Sequence, residues 1–314
     1  MSIFLNSLFL ARGFAAAKGQ SRKFISQFSH FQSYYNPALT GYEGSSIRGM
    51  VRNQWAGFDG APMGYFLSAE VDFAELSGAG ADAALTGKNA FGINLFQDQY
   101  GPFNDTELII SYASRIRISE KFNLRLGAGV NSNFVQLDGN RLSSEEAGDA
   151  VIGQYINSFA QMRVLDFNLG AALTHENFYV SYGMQQVNRG AIQSGDVFFE
   201  RRATVSVVQA GFRQTLSENL SLATNFMYRD QVDLPANVEF NLKALFAERV
   251  WVGAGHRVDY ANNFHVGFIW DSLRLGYVYE MPMTRSFLLP QPTHEFMASF
   301  FLFGDKTSRA KRIW

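Results

Sequence analysis

The sequence predicts an all-β fold, a transmembrane antiparallel up-and-down β-barrel of about 14 strands with short periplasmic turns and longer extracellular loops. Three observations support this prediction. Apolar and polar residues alternate through most of the chain, short and long links alternate between these segments, and aromatic residues make up 15% of the sequence. In a membrane barrel the apolar face of each strand meets lipid, and the polar face lines the lumen.

The alternation is clear in residues 121–133, where Leu124 and Leu126 face one way and Asn123 and Arg125 face the other. A period of two residues indicates a strand with one apolar and one polar face. The segments with this pattern lie near residues 46–54, 63–73, 88–96, 106–117, 122–134, 166–174, 177–185, 202–215, 219–228, 237–246, 249–257, 262–270, 272–280 and 294–303.

The links between these segments fall into two classes. An up-and-down meander puts every second link at the same end of the sheet, and membrane barrels have short turns at one end and long loops at the other. Lipid cannot bond to free backbone groups, so a sheet that crosses a membrane must close on itself. A soluble β-sandwich would also alternate, but it would not by itself produce two loop classes. Tight turns are predicted at 119–121, 175–177, 216–218, 247–248 and 271–272, and long links at 55–62, 97–105, 135–165, 186–201, 229–236 and 281–293, with 74–87 and 258–261 as exceptions.

The composition narrows the possible functions. Charged residues make up 18% of the chain, below the ~25% that is usual for soluble domains. The net charge of −1 gives no field that would attract nucleic acid. There is no cysteine, which excludes disulfides, thiolate metal sites and cysteine nucleophiles.

The N-terminus has features of an exported chain. An apolar run from Ile3 to Ala17 ends in three alanines and is interrupted by Arg12, and no basic residue precedes it. A short apolar run before small residues is typical of a signal peptide. We therefore expect a signal peptide at 1–19, a periplasmic N-terminal segment at 20–45, the barrel at 46–303 and a basic C-terminal tail at 304–314.

The sequence contains no pattern that indicates an enzyme. None of the five histidines pairs with another at metal-ligand spacing, and neither a nucleophile elbow nor a phosphate-binding loop is present. We predict no catalytic residue, no cofactor and no metal site. Glu145 and Glu146 in the longest loop form either a cation site or a solvated charge pair.

The polar faces of the strands give candidates for the lumen. Charges of both signs do not favour strong ion selectivity. Gly127, Gly129 and Gly276 leave room in the lumen for a plug, a loop or a partner segment, or they allow strand curvature. The candidate lumen-facing residues are Arg48, Arg52, Arg125, Arg274 and Glu280.

A second set of candidates lies in or beside the predicted extracellular loops. Exposed aromatic residues at a barrel rim anchor protein partners or form the girdle at the lipid interface. The candidate partner-binding residues are Trp55, Phe58, Tyr100, Phe103, Glu145, Glu146 and Phe287.

The N-terminal region also carries a family signature. Gln27-Phe28-Ser29, Asn36-Pro37-Ala38 and Arg52-Asn53-Gln54-Trp55 follow one another in this order, and Leu275–Tyr279 and Thr293–Glu295 extend the match. This succession resembles the PorP/SprF family, outer-membrane proteins of the type IX secretion system in Bacteroidota.

The resemblance implies an outer-membrane barrel that performs no covalent chemistry. It implies a partner-specific factor that docks the C-terminal domain of a secreted adhesin, as in gliding motility, through long loops such as 135–165. Other type IX secretion components and outer-membrane lipid would be further partners, and nucleic acid would not. The region of Asn36 and Pro37 is expected to be periplasmic. The alternatives are a nutrient porin and, behind it, a lipid-modifying barrel enzyme.

Overall fold

The fold is an antiparallel sheet of fifteen strands in the part of the chain that the structure describes. This computed structural model describes residues 24–58, 60–78, 89–142, 155–196, 198, 201–232, 234–283 and 291–303. The predicted signal peptide and basic tail lie outside these ranges. The strands are β1 (Ser46–Asn53), β2 (Met63–Asp72), β3 (Asn89–Tyr100), β4 (Phe103–Arg117), β5 (Asn123–Asp138), β6 (Phe159–Thr174), β7 (Phe178–Gln185), β8 (Ile192–Gly195), β9 (Val205–Ser217), β10 (Leu220–Gln231), β11 (Leu234–Phe246), β12 (Val250–Arg257), β13 (Ala261–Trp270), β14 (Leu273–Pro282) and β15 (Thr293–Phe301).

The sheet closes into a barrel of fourteen strands. Consecutive strands pair, β7 pairs with β9, and β1 pairs with β15 to close the wall. The extra strand, β8, pairs with the upper part of β6 beyond the end of β7. The prediction of an up-and-down barrel of about 14 strands is therefore confirmed.

Helical structure in the described residues is limited to single turns. They are Phe28–His30, Gln32–Tyr35, Pro37–Leu39, Phe73–Leu76 and Gly139–Arg141. None of the described helices has the length and apolar character required to cross a membrane.

The wall has the two faces that the alternation predicted. In β1, Arg48 and Arg52 are each 4% exposed, while Ile47 and Val51, which precede them in the chain, are 44% and 40% exposed. The polar side chains thus point into the barrel, and the apolar side chains form its outer surface.

The N-terminal segment, residues 24–45, lies inside the barrel, and we call it the plug. All of its side chains are buried except Tyr42, which is half-buried. Phe24 packs against Tyr260 in the β12–β13 link at the long-loop end. At the other end, Ser45 leads directly into β1. The sequence predicts a periplasmic position for Asn36 and Pro37; in the structure they lie within the barrel, where Nδ2 of Asn36 donates to the Ala171 carbonyl oxygen on β6 at 3.4 Å.

Two of the predicted long links are instead tight hairpins. In β3 and β4 the pairing continues through Gln97↔Thr106 and Gln99↔Asn104 to a turn of two residues. Segment 229–236 likewise turns within two residues, between Gln231 and Leu234. The strands continue beyond the apolar belt in both places, and their polar residues there resemble those of loops.

The wall is much higher on one side than on the other. β5 and β6 each have 16 residues, whereas β12 has 8. In the upper part of β5, Gln136 is exposed on the outer face, and Val135 and Leu137 are buried on the inner face. This reversal of the usual barrel polarity indicates that the upper part of the wall stands in water. We call the upper parts of β3–β6 the raised wall.

Candidate functional site

The end of the plug near Phe24 is held by buried carboxylates of the last two strands. Glu295 on β15 accepts hydrogen bonds from the backbone N–H groups of Ser26 and Gln27, at 2.8 and 3.2 Å. The Ser26 hydroxyl donates to Glu280 on β14. Hydrogen bonds to ionised acceptors are about twice as strong as neutral ones, so these two residues fix the start of the plug.

These carboxylates belong to a charged cluster inside the barrel. Arg52 is ion-paired with both Glu295 and Glu280, the latter at 3.0 Å. Arg257 is 3.1 Å from Glu280 and 2.9 Å from Glu239. All five side chains are buried. Buried charges are tolerated where they are paired and hydrogen-bonded, and removal of one partner leaves an uncompensated charge.

A second set of contacts holds the middle of the plug. Arg48 on β1 donates to the His30 carbonyl oxygen at 2.7 Å and is paired with Glu70 on β2 at 3.2 Å. Glu70 also accepts from the Ser33 hydroxyl at 3.0 Å. Further along, the Tyr34 hydroxyl donates to Glu107 at 2.9 Å.

The end of the plug near β1 lies close against the wall. Arg125 donates to the carbonyl oxygens of Ala38 and Thr40, at 2.9 and 2.6 Å. A side chain at Gly127 would overlap the backbone of Pro37 and Ala38. The wall therefore needs a glycine at this position so that the plug can pass.

The predicted lumen-facing residues are all buried. Arg48, Arg52 and Arg125 bind the plug directly, as does Glu280. Arg274 lies over the ring of Phe301 at 4.3 Å. Sequence reasoning did not select other charged residues that the inner wall uses. The period-two pattern would have identified them, because each occupies an inward position. These residues are Glu70, Glu107, Glu239, Lys243, Arg257 and Glu295.

The predicted partner-binding residues have different environments. Trp55 is buried, and Phe58 is 47% exposed. Tyr100 and Phe103 flank the β3–β4 turn on the raised wall, and their rings stack with centroids 5.5 Å apart. Glu145, Glu146 and Phe287 lie outside the described residues.

Phe103 and its neighbours form an aromatic group on the raised wall. The ring of Phe198 meets Phe103 edge-on at 6.3 Å and Tyr155 at 6.1 Å. Together with Tyr100 we call them the rim aromatics. They bring the β3–β4 turn close to residues that precede β6 and follow β8.

Metal binding finds no support in the described part of the chain, where no group of three His, Cys, Asp or Glu side chains is placed to hold an ion. The charged cluster consists of paired Arg and Glu side chains that bind the plug. Its chemistry is that of a structural anchor.

Comparison with protein families gives a match over most of the chain. A family model described as "Type IX secretion system membrane protein PorP/SprF" matches residues 17–300. The chain belongs to this family. With the barrel fold, family membership assigns this PorP/SprF protein to the outer membrane and to type IX secretion, with other secretion components as partners. The long-loop end is therefore extracellular, and the short-turn end is periplasmic.

Solved structures with a similar fold are outer-membrane barrels. The toluene transporter TbuX of Ralstonia pickettii is 10% identical, with a TM-score of 0.51, and the match covers 86% of this chain and 93% of that one. The toluene transporter TodX of Pseudomonas putida is 10% identical with a TM-score of 0.46, covering 85% and 91%. A FadL homologue of Pseudomonas aeruginosa is 10% identical with a TM-score of 0.43, covering 85% and 93%. At this identity the likeness concerns the fold alone. A search of curated proteins finds no match.

Proposed function

We propose that this PorP/SprF protein is a partner-specific factor of type IX secretion that docks or anchors a secreted cell-surface adhesin of the gliding-motility type. The observation that carries the proposal is the plug. Its side chains are buried in the barrel, and charged groups of the inner wall bind it along its length. A barrel occupied by its own segment is suited to holding a partner at its surface rather than to passing solutes.

The raised wall supports docking at the extracellular end. Its outer face is polar above the lipid belt, where Gln97 donates to Asn104 at 3.2 Å. The rim aromatics lie at its top. Aromatic side chains that become buried at an interface commonly provide a large share of the binding energy. The C-terminal domain of the adhesin, arriving from outside, would contact Tyr100 and Phe103, the exposed Phe58 and the link between β5 and β6, which is the central part of the predicted loop 135–165.

A general or nutrient porin is the alternative function. Diffusion through the barrel would require the plug to leave, which would leave Glu280, Glu295 and Arg125 without their hydrogen bonds to it. Loss of partners for buried charges is costly. The filled lumen therefore favours the docking function over free permeation.

The test is a pull-down of the tagged protein from outer membranes of a bacterium with type IX secretion, followed by mass spectrometry. Three proteins are compared: the wild type, the double variant Tyr100→Ala with Phe103→Ala, and Phe91→Ala as the control. Phe91 lies on β3, as Tyr100 does, but its side chain faces lipid. We expect the wild type and the control to recover a secreted adhesin, and the double variant to recover at least about tenfold less.

Two outcomes would contradict the proposal. One is that the wild type recovers neither an adhesin nor a secretion component. The other is rapid swelling of sugar-loaded liposomes that contain the purified wild-type barrel, because free permeation requires an open lumen. Equal recovery by all three proteins would leave docking intact but would exclude the rim aromatics from the contact.

A further inference from the structure

The short strand β8 forms an open edge of the sheet at the extracellular end. It pairs only with β6, through Met162↔Gly195 to Leu165↔Ile192, whereas every other strand of the described sheet has two neighbours. The unpaired N–H and C=O groups of an edge strand can bind another chain, and natural proteins usually cover such an edge. In the described part of the chain, β8 is thus the strand whose second edge is unpaired along its whole length.

The hydrogen-bond pattern shows which backbone groups of β8 lie at this open edge. The Asp196 N–H donates to the Gln161 carbonyl oxygen at 2.7 Å, so the backbone at Asp196 faces β6. In an antiparallel pair, successive residues direct their N–H and C=O groups to opposite sides of the strand. Every second residue counted back from Asp196 therefore bonds to β6. The N–H and C=O groups of Gln193 and Gly195 point away from β6.

The open edge is accessible to solvent. All four residues of β8 are exposed, including Gly195. Because Gly195 has no side chain, its exposed surface belongs to the backbone. Within the described residues, no hydrogen bond joins the backbone of Gln193 or Gly195 to a second strand or a loop. The edge therefore offers two donors and two acceptors to an added strand.

Contacts with β6 hold β8 in place. The Gln161 N–H donates to the Asp196 carboxylate at 2.8 Å, so this pair is bonded in both directions. Gly195 has a φ of +92°, and a side chain there would overlap the Gln161 carbonyl oxygen. Glycine adopts positive φ without strain and permits this close approach. The open edge is therefore formed before any partner arrives.

The open edge is continuous with the rim aromatics. Phe198 follows β8 by three residues, and its ring meets Phe103 and Tyr155. The raised wall continues as a sheet from β3 to β6 and ends in β8. A protein that contacts the rim aromatics from outside would therefore reach the open edge as well.

Two exposed arginines lie at the base of the open edge, Arg189 and Arg201. The Arg202 N–H donates to the Arg189 carbonyl oxygen at 2.9 Å, which places Arg201 beside the turn that precedes β8. The chain then enters β9, which pairs with β7 on the side away from β6. The arginines are therefore on the same side as the open edge, where they favour a strand with a carboxylate.

We propose that the open edge of β8 binds an extended strand of the docked adhesin domain, with a carboxylate of that strand beside Arg189 and Arg201. The proposal rests on the docking function proposed above. When a strand is added to a sheet edge, backbone hydrogen bonds provide affinity and the neighbouring side chains provide specificity. Gln193 and Gly195 supply the backbone groups, and the arginines select an acidic strand.

The test is the pull-down from outer membranes with two variants of Gln193. Gln193→Pro removes an N–H at the open edge and keeps the bonds to β6, since proline is tolerated on an edge strand where the N–H faces solvent. Gln193→Ala is the matched control, because it loses the same side chain and keeps the N–H. We expect Gln193→Ala to recover the adhesin as the wild type does, and Gln193→Pro to recover at least about tenfold less.

Hydrogen exchange followed by mass spectrometry measures the edge directly. The Gln193 and Gly195 amides should exchange rapidly in the purified protein and slowly in its complex with the recovered adhesin, because pairing with a strand protects them. The double variant Arg189→Glu with Arg201→Glu should recover at least about threefold less adhesin than the wild type. Resistance of each variant to unfolding in SDS checks that the barrel is folded.

The outcomes separate this proposal from the docking function. Equal recovery by Gln193→Pro and Gln193→Ala, with no protection of β8 in the complex, would overturn the edge pairing and leave docking intact. A wild-type protein that recovers no adhesin would overturn both. A photo-cross-linking residue at Gln193 should capture the adhesin, and capture of a second copy of this chain instead would also overturn the proposal.

Discussion

The plug lies between two sides of the inner wall, which differ in the polar side chains that face the plug. On β14, β15, β1 and β2, charged side chains bind it, and Glu295 alone accepts two of its backbone N–H groups. On β9–β13 the inner wall carries a group of buried amides, which we call the amide wall: Gln209, Asn225, Asn237, Asn241 and Asn263. Both polar side-chain atoms of Gln209 and of Asn237 have no hydrogen-bond partner within the described residues.

This difference indicates how the plug is held. A buried polar group without a partner costs about 1–3 kcal/mol, while a charge-assisted hydrogen bond stabilises the contact. Carboxylates and arginines therefore fix the plug on the charged side. On β9–β13, Lys243 and Arg257 also donate to the plug, at 2.8 Å to the Ser29 hydroxyl and 3.4 Å to the Ser26 hydroxyl, but the side chains of Gln209 and Asn237 do not bond to it within the described residues. Substitutions of the charged groups that bind the plug are expected to release it, and substitutions of the unpartnered amides Gln209 and Asn237 are not.

The largest effect is expected from Glu295→Gln. The change removes the carboxylate that pairs with Arg52 and accepts from Ser26 and Gln27. Loss of one partner from a buried ion pair typically costs about 3–5 kcal/mol. The free energy of unfolding, measured by urea titration in lipid vesicles, should fall by that order, and conductance in planar bilayers should rise. Unchanged conductance together with unchanged stability would contradict the anchoring role.

A smaller loss is expected from Gly127→Ala, which forces a methyl group into the backbone of Pro37 and Ala38. Overpacking of this kind costs about 1–3 kcal/mol, and we expect the upper end of this range because the overlapping atoms belong to the backbone and cannot rotate away. Gly64→Ala is the matched control on the inner wall, because its methyl group would meet Phe96 at an ordinary 3.5 Å. The midpoint of urea unfolding should fall for Gly127→Ala only, and equal midpoints would argue against close approach of the plug.

Tyr34→Phe should have a still smaller effect. It removes the hydrogen bond from the Tyr34 hydroxyl to Glu107, which keeps the contact from Asn131 at 2.6 Å. A hydrogen bond to a charged group contributes about 1.5–3 kcal/mol, and the remaining donor reduces the loss toward the lower value. The same urea titration measures this loss in the free energy of unfolding. A loss as large as that of Glu295→Gln would show that the middle of the plug is held as firmly as its start.

The smallest effect is expected from Asn237→Leu on the amide wall. This change removes an amide that has no partner within the described residues and keeps a side chain of similar size. The stability should therefore change by less than about 0.5 kcal/mol or increase slightly. A loss of several kcal/mol, comparable with that of Glu295→Gln, would remove the distinction between the two sides.

The sequence was sufficient to predict the barrel, since each of the fourteen wall strands carries a period-two pattern that depends on local residues only. It was not sufficient for β8, whose four residues are all exposed and which lies within the predicted link 186–201. Nor was it sufficient for the plug. Residues 24–45 have no regular period, and their burial depends on contacts with residues far along the chain, as between Ser26 and Glu295. Gly127 was a usable signal, because a glycine on an inner face leaves room for a second segment. β3 and β10 extend further than the sequence predicts, because strand residues above the lipid belt are polar and resemble loop residues.

The most direct test of the plug uses a chain that has no cysteine of its own. The Ser33 hydroxyl lies 3.3 Å from Oδ1 of Asn94 on β3. With Ser33→Cys and Asn94→Cys, mild oxidation of intact outer membranes should form a disulfide, seen as a gel shift that a reductant reverses. Ser33→Cys with Gln97→Cys should not form it, because Gln97 faces outward on the same strand. No bond in the first pair, or equal bonds in both, would contradict a plug seated in the lumen.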